Sequence, residues 1–209
     1  MLPLDTVLTF FVTALLLALA PGPDIIFVLT QSALYGMRAG VATTLGLISG
    51  LCFHTTIVAV GVAGLLMASP LAFGLLTLVG AAYLLYLAWL SFRAGASMAH
   101  LQESRFLGYG ALYRRGVFMN ITNPKVTLFF LAFLPQFCVP ERGSVALQVM
   151  ELGLLFMLAA FLVFTAVSAL GGRLALWFNS SPRGQMLIHR VAGLVFVVLA
   201  VMLVVSWLA

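Results

Sequence analysis

Along most of the chain, apolar residues run on without the alternation a half-buried strand would show. Six stretches stand out, from Leu4 to Ser32, Ala39 to Met67, Leu71 to Phe92, Gly116 to Phe137, Ala146 to Leu170 and Val191 to Leu208. Each is long enough to cross the hydrocarbon core as a helix, which takes roughly 20 residues. Polar residues gather in the gaps. The longest gap runs from Arg93 to Arg115, and a tight turn is predicted at Ala68-Ser69-Pro70, where the proline suits a helix start. The pattern predicts an all-α membrane protein of six transmembrane helices, not a lipid-facing barrel.

Two of the stretches are interrupted. The first contains ALAPGPDIIF, Ala18 to Phe27, and the fourth contains ITNPKVTLFF, Ile121 to Phe130. In each, a charged residue directly follows a proline: Asp24 after Pro23, Lys125 after Pro124. Weaker echoes follow, Arg38-Ala39-Gly40 against Arg142-Gly143 and Gly80-Ala81-Ala82-Tyr83 against Gly193-Leu194-Val195-Phe196. The match divides the single transmembrane domain, 1–209, into two three-helix repeats, 1–105 and 106–209. An odd number of spans per half inverts one half relative to the other, the arrangement of many secondary transporters, whose paired broken helices mark the binding site. Asp24 lies about ten residues before the end of its stretch and Lys125 about ten after Arg115. At about 1.5 Å per residue both sit roughly 15 Å from one surface, near the bilayer midplane. A lone charge there is expensive and is normally paired or faces a cavity, so Asp24 and Lys125 are expected together between the halves.

The breaks have a physical purpose on this reading. Pro21 and Pro23 remove two backbone donors and leave carbonyls free. Gly22 allows a turn and a close approach. Helix resumes at Asp24, with a first turn whose N–H groups attract an anion such as a carboxylate. Irregular backbone survives at this depth only where protein or water meets it. Pro21, Gly22, Pro23 and Pro124 therefore frame a binding site.

Composition sharpens the picture. Of the 209 residues 64% are hydrophobic and only 7% charged, too few charges to clothe a water-soluble domain. The formal charge of +5 does not point to nucleic acid, because its arginines border the spans. Arg38, Arg93, Arg105, Arg114, Arg115, Arg173, Arg183 and Arg190 share one side and only Arg142 takes the other. The rich side belongs in the cytoplasm, which puts both termini outside. The N-terminus resembles a signal peptide around Ala18-Leu19-Ala20. It has Asp5 and no Lys or Arg before its apolar stretch, so it reads as a retained first span. Cys52 and Cys138 form neither a CxxC pair nor a metal spacing. No metal or cofactor is expected.

The motifs ALAPGPD and RRGVFMNITNPKVTLFFLAFLPQF, Arg114 to Phe137, in a six-span chain of this length, resemble the LysE/RhtB family of amino-acid exporters over the whole sequence. The resemblance implies efflux of amino acids or close derivatives across a bacterial inner membrane, driven by proton antiport. Only Asp5, Asp24 and Glu151 supply carboxylates in or near the spans. Neutral or homoserine- and threonine-like substrates are therefore expected over basic ones.

A zwitterion needs an anion for its ammonium and donors for its carboxylate. Asp24 is the candidate for the ammonium or the coupling proton. Lys125 and the helix restart after Pro23 are the candidates for the carboxylate. Asn123 and Asn120, about one turn apart, bond either substrate or freed backbone, and Asn120 reads equally well as a packing residue. His54, mid-span, is a possible proton relay or a hydrogen-bonded packing residue. Gly46 and Gly50 are spaced for close helix contact. Protons, the bilayer and the amino acid are the expected partners, and a homodimer is compatible with thin spans rich in glycine. The alternative of another class is a transmembrane thiol–disulfide carrier using Cys52 and Cys138. A membrane hydrolase is disfavoured, since no HExxH or GxSxG occurs.

Overall fold

The computed structural model describes residues 2–68, 70–94 and 106–208. All regular structure among the described residues is helical. A first bent pair consists of α1 (Leu4–Leu19) and α2 (Pro23–Tyr35), inclined at 59°. Then come α3 (Met37–Ala68) and α4 (Pro70–Arg93). A second bent pair begins with α5 (Tyr109–Ile121) and α6 (Pro124–Leu128). A π-helical turn, Phe129–Phe133, and a 3₁₀ turn, Leu134–Phe137, carry α6 onward, and the two parts of this pair meet at 49°. The chain closes with α7 (Val145–Ser180) and α8 (Pro182–Leu208). Four helices are long and apolar enough to cross a membrane, and each bent pair counted as one span makes six. The protein is a multi-pass membrane protein.

The bends and ends are local consequences of sequence. α1 stops at Leu19 because Pro21 and Pro23 have no N–H to offer the carbonyls behind them. The same prolines suit the first turn of the next helix, and α2 starts on Pro23 as α6 starts on Pro124. α2 ends at Gly36, whose φ of 82° and N–H bond to the Ser32 carbonyl form a glycine C-cap. α7 opens on Ser144, whose hydroxyl accepts from the Leu147 N–H.

Packing interlocks the two halves. The α1–α2 pair leans on α7, α5 lies against α3, α3 crosses α7, and α4 pairs with α8. The inward face of α7 recurs at helical spacing, with Val149, Leu152, Phe156, Ala159, Ala160, Val163 and Val167 buried, while Leu154, Leu158 and Leu162 point outward. A helix apolar all round is one that lipid surrounds. Small residues set the closest crossing. A Cβ on Gly46 would strike the Tyr113 backbone carbonyl, and one on Gly50 would lie 2.7 Å from Asn120 Cβ. Gly116 answers from α5, 2.6 Å from the Thr43 carbonyl by the same construction. The expected Gly46/Gly50 contact is thus the one that presses the end of α5 onto α3.

Element boundaries differ from the hydropathy pattern. α5 begins seven residues before the expected Gly116, α7 runs ten beyond Leu170, and α8 starts nine before Val191. Arg114, Arg115, Arg173, Arg183 and Arg190 therefore belong to helices and not to loops, and Ser181 alone separates α7 from α8. Hydropathy ends where hydrocarbon ends, whereas backbone hydrogen bonding continues into the interface. Two arginines place the guanidinium over an aromatic ring, Arg115 over Phe27, 5.1 Å from its centroid, and Arg93 over Trp89 at 4.6 Å. Arg38-Ala39-Gly40 is likewise inside α3, unlike Arg142-Gly143, which lies before α7. Ser69 of the expected turn and Arg105 lie outside the described residues, though α4 does begin on Pro70.

The α3–α5 crossing gives a stability prediction. Gly46→Ala is expected to destabilise the protein by about 1–3 kcal/mol, because backbone and not a flexible side chain stands in the way. Gly61→Ala, with nothing within 4 Å of its Cβ, should be neutral or slightly stabilising. Thermal melts of both variants in detergent would check this, and equal melting temperatures would refute it.

Candidate functional site

Three prolines leave orphan carbonyls where the two bent pairs meet. In an unbroken helix the Leu17 carbonyl would accept from residue 21 and the Asn120 carbonyl from residue 124, but both of those are proline. Side chains from the other half of the chain supply the missing donors. The Lys125 ammonium donates to the carbonyls of Leu17, at 3.3 Å, and Ala20, at 3.2 Å. His54 Nε2 lies 3.1 Å from the Asn120 carbonyl, which also takes the Asn123 N–H. A carbonyl only accepts, so Nε2 carries the hydrogen. Lys125 also brings positive charge to the C-terminal end of α1, where the helix dipole favours it.

Asp24 is held in the reciprocal way. Asn120, in the last turn of α5, donates its amide to Asp24 Oδ2 at 3.2 Å. Asn123 caps α6, its Oδ1 accepting from the Lys125 N–H at 3.0 Å. Asp24, Asn120, Asn123 and His54 are each no more than 4% exposed, so neither water nor lipid serves their polar atoms. Three of those atoms have no hydrogen-bond partner: Asp24 Oδ1, Asn120 Oδ1 and Asn123 Nδ2. Such orphans are rare in a folded interior and call for an explanation.

Asp24, Asn120 and Lys125 line one small cavity of about 20 Å³ with Leu51, Phe156, Ala160 and Phe164. The expected meeting of Asp24 and Lys125 is therefore found, but not as an ion pair. Lys125 spends two of its three N–H bonds on the broken end of α1, and Asp24 keeps one oxygen free. The Leu17 carbonyl released by Pro21 and the Ala20 carbonyl just past the end of α1 hold Lys125. Asn120 departs from a pure packing role, since its amide serves the carboxylate while its body fits against Gly50. Of the two expectations for Gly22, the close approach is found and the glycine-dependent turn is not. Its φ of −176° and ψ of 175° are open to any residue, and what glycine provides is room: a Cβ there would stand 3.1 Å from Lys125 Nζ. Helix resumes at Pro23 with Gly22 as its cap, one residue earlier than expected.

Other groups lie elsewhere. Glu151 is exposed on α7. Cys52 opens on a separate groove of about 300 Å³ between α3 and α7, its sulfur 3.9 Å from that of Met157. Cys138 follows the 3₁₀ turn, where burial pushes its thiol up to about 12. Both cysteines are free.

Some parts of the site escape sequence reasoning. Beyond the cavity Phe129, Phe130, Phe133, Phe137, Phe10 and Phe156 stack in a continuous cluster, with Phe129 and Phe133 centroids 4.9 Å apart. Gln136 ties the same segment to both flanking helices, donating to Thr77 Oγ1 of α4 and accepting from Ser206 of α8, each at 3.1 Å. Gln148 of α7 clamps the connection after the 3₁₀ turn through the N–H and carbonyl of Val139. The signal was present as phenylalanines at one helical spacing and a lone glutamine in FLPQF.

Comparison with known proteins agrees with this architecture. The model of the LysE type translocator family matches residues 15–206. A homoserine/homoserine lactone efflux protein of Salmonella typhimurium is 33% identical over 194 residues, 93% of each chain. An uncharacterized membrane protein of Vibrio cholerae is 33% identical over 173 residues, covering 83% of this chain and 84% of its own. No solved structure matches.

Removing the ammonium should expose the carbonyls it serves. Lys125→Met is expected to lower stability by about 1–3 kcal/mol, the cost of leaving buried acceptors unserved. Lys125→Arg should recover part of it. A Lys125→Met protein that melts like wild type would mean that the ammonium does not secure the break.

Proposed function

The chain belongs to the LysE type translocator family, and from that premise we propose that it is a secondary transporter. In this reading it exports neutral amino acids or homoserine-like compounds from the bacterial cytoplasm by proton antiport. The observation that carries the reading is the buried, half-satisfied Asp24 sharing a small cavity with Lys125, which has one N–H unspent, at the junction of two broken helices. Intramembrane charges of this kind mark substrate and proton pathways.

The roles follow from the unspent bonds. A substrate ammonium takes Asp24 Oδ1, and its carboxylate takes the third N–H of Lys125. Asn120 and Asn123 orient the two charges, and His54 fixes Asn120 through its backbone. A proton on Asp24 satisfies the same oxygen the ammonium would. Proton and substrate thus compete for one atom, which is sufficient for exchange. The cavity has room for about one water, so substrate enters only when the halves part. The phenylalanine cluster with Gln136 closes the side that leads to Cys138.

Six spans as two inverted repeats, 1–105 and 106–209, fit the way the chain packs. Each bent pair lies against the long helix of the opposite half, and α3 meets α7 as α4 meets α8. A positive-φ glycine, Gly36 or Gly143, precedes α3 and α7 in turn. In this arrangement the arginine-rich ends face the cytoplasm, both termini lie outside the inner membrane, and one chain builds a complete site that a homodimer would duplicate. The name of the Salmonella relative supports homoserine-like substrates here.

Purified protein in liposomes preloaded with labelled amino acids would test the reading. Efflux is expected to rise with an inward proton gradient, and Asp24→Asn should reduce it at least a hundredfold. A doubly substituted C52S/C138S protein should retain wild-type efflux; if only this variant failed, a thiol–disulfide carrier would be the better reading. Undiminished efflux in Asp24→Asn would place the site elsewhere.

A further inference from the structure

The cavity is divided by chemistry. Its polar members come from the helix breaks: Asp24 of α2, Asn120 of α5 and Lys125 of α6. The rest of the lining is a wall of apolar side chains, among them Ala18 of α1, Leu51 of α3 and Phe156, Ala160 and Phe164 of α7. A zwitterionic head group consumes the polar side. Whatever the substrate carries beyond its α-carbon must then meet the apolar wall.

No hydrogen-bonding group from that wall is available. The hydroxyls closest along the same helices are turned back onto their own backbone. Thr55 donates to the Leu51 carbonyl at 2.9 Å, and Ser168 to the Phe164 carbonyl at 2.7 Å. Thr165, whose buried hydroxyl has no partner, does not line the cavity. The free oxygen of Asn120 is turned toward Gly50, 2.7 Å from where a Cβ would stand.

We infer that Ala18, Leu51, Phe156, Ala160 and Phe164 form the side-chain compartment of the transported molecule, and that it selects against side chains bearing a hydroxyl or a charge. The inference rests on the export reading and refines it. Among compounds related to homoserine, those with no free hydroxyl are favoured. 2-Aminobutyrate differs from homoserine only by lacking the γ-hydroxyl and keeps both the ammonium and the carboxylate that the polar side takes, whereas homoserine lactone spends its carboxylate as well as its hydroxyl on the ring ester. A hydroxyl buried without a partner is rejected by roughly tenfold or more. A charged side chain is rejected more strongly. Phe164 limits length, and Ala160, the smallest side chain of the α7 wall, admits a short chain once the halves part.

The test is competition for proton-driven efflux of labelled 2-aminobutyrate from proteoliposomes. Unlabelled 2-aminobutyrate, homoserine, leucine, lysine and glutamate are loaded in turn on the same side. In wild type, unlabelled 2-aminobutyrate should compete at concentrations about tenfold lower than homoserine, with lysine and glutamate weaker still. Ala160→Ser, which adds a hydroxyl to the wall, should narrow the gap between homoserine and 2-aminobutyrate. Phe164→Ala should raise the rank of leucine. If labelled 2-aminobutyrate leaves but homoserine competes as well as unlabelled 2-aminobutyrate in wild type, the compartment is wrongly assigned while the export reading stands. If no labelled compound shows gradient-driven efflux, the export reading falls and this inference with it. Because the wild-type ranking decides alone, loss of either variant through misfolding leaves the outcome intact.

Discussion

Backbone carbonyls that cannot be satisfied within their own helix are the constraint around which this protein is organised. In lipid there is no water to repair such a loss, so every carbonyl freed by Pro21, Pro23 or Pro124 needs a donor from the protein. Lys125 serves the Leu17 carbonyl freed by Pro21, together with that of Ala20, and His54 serves the Asn120 carbonyl freed by Pro124, each from the opposite half of the chain. The broken helices are therefore not independent features, since each is completed by residues on the other side of the fold.

That mutual completion explains the packing. α5 must approach α3 closely enough for His54 to reach the end of α5, and Gly46, Gly50 and Gly116 permit it. α1 and α2 must lie where Lys125 can reach the end of α1, and Gly22 leaves room for the ammonium. Close contact through small residues is what lipid-embedded helices use in place of a hydrophobic driving force. The two halves interlock as a result. In the proposed reading, parting them means exchanging these bonds for others, and a substrate bearing both an ammonium and a carboxylate offers such an exchange.

The site is polar on one side only, because it originates at the breaks. Proline-linked residues contribute charge and amide groups, while the intact helices contribute apolar side chains whose hydroxyl neighbours stay bonded to their own backbone. The phenylalanine cluster beyond the cavity extends the same apolar surface. It sits on a π-helical turn, a local geometry often found at functional positions.

Much was legible in the sequence because membrane helices and prolines act locally. Uninterrupted hydropathy determined that the chain is helical and spans the membrane. Pro21, Pro23 and Pro124 determined where helices break, and the charges beside them pointed to Asp24 and Lys125. Sequence alone did not decide which bonds those residues make. Asp24 and Lys125 were expected together and do share a cavity, but the tertiary structure gives Lys125 to the carbonyls of Leu17 and Ala20 and gives Asn120 to Asp24. Helix lengths were also hidden, since backbone bonding continues beyond the apolar stretch into the arginine-bearing turns. A residue's own neighbours fix whether its helix can continue. Which orphaned group it then serves depends on distances between segments about a hundred residues apart, and only the packed fold sets those.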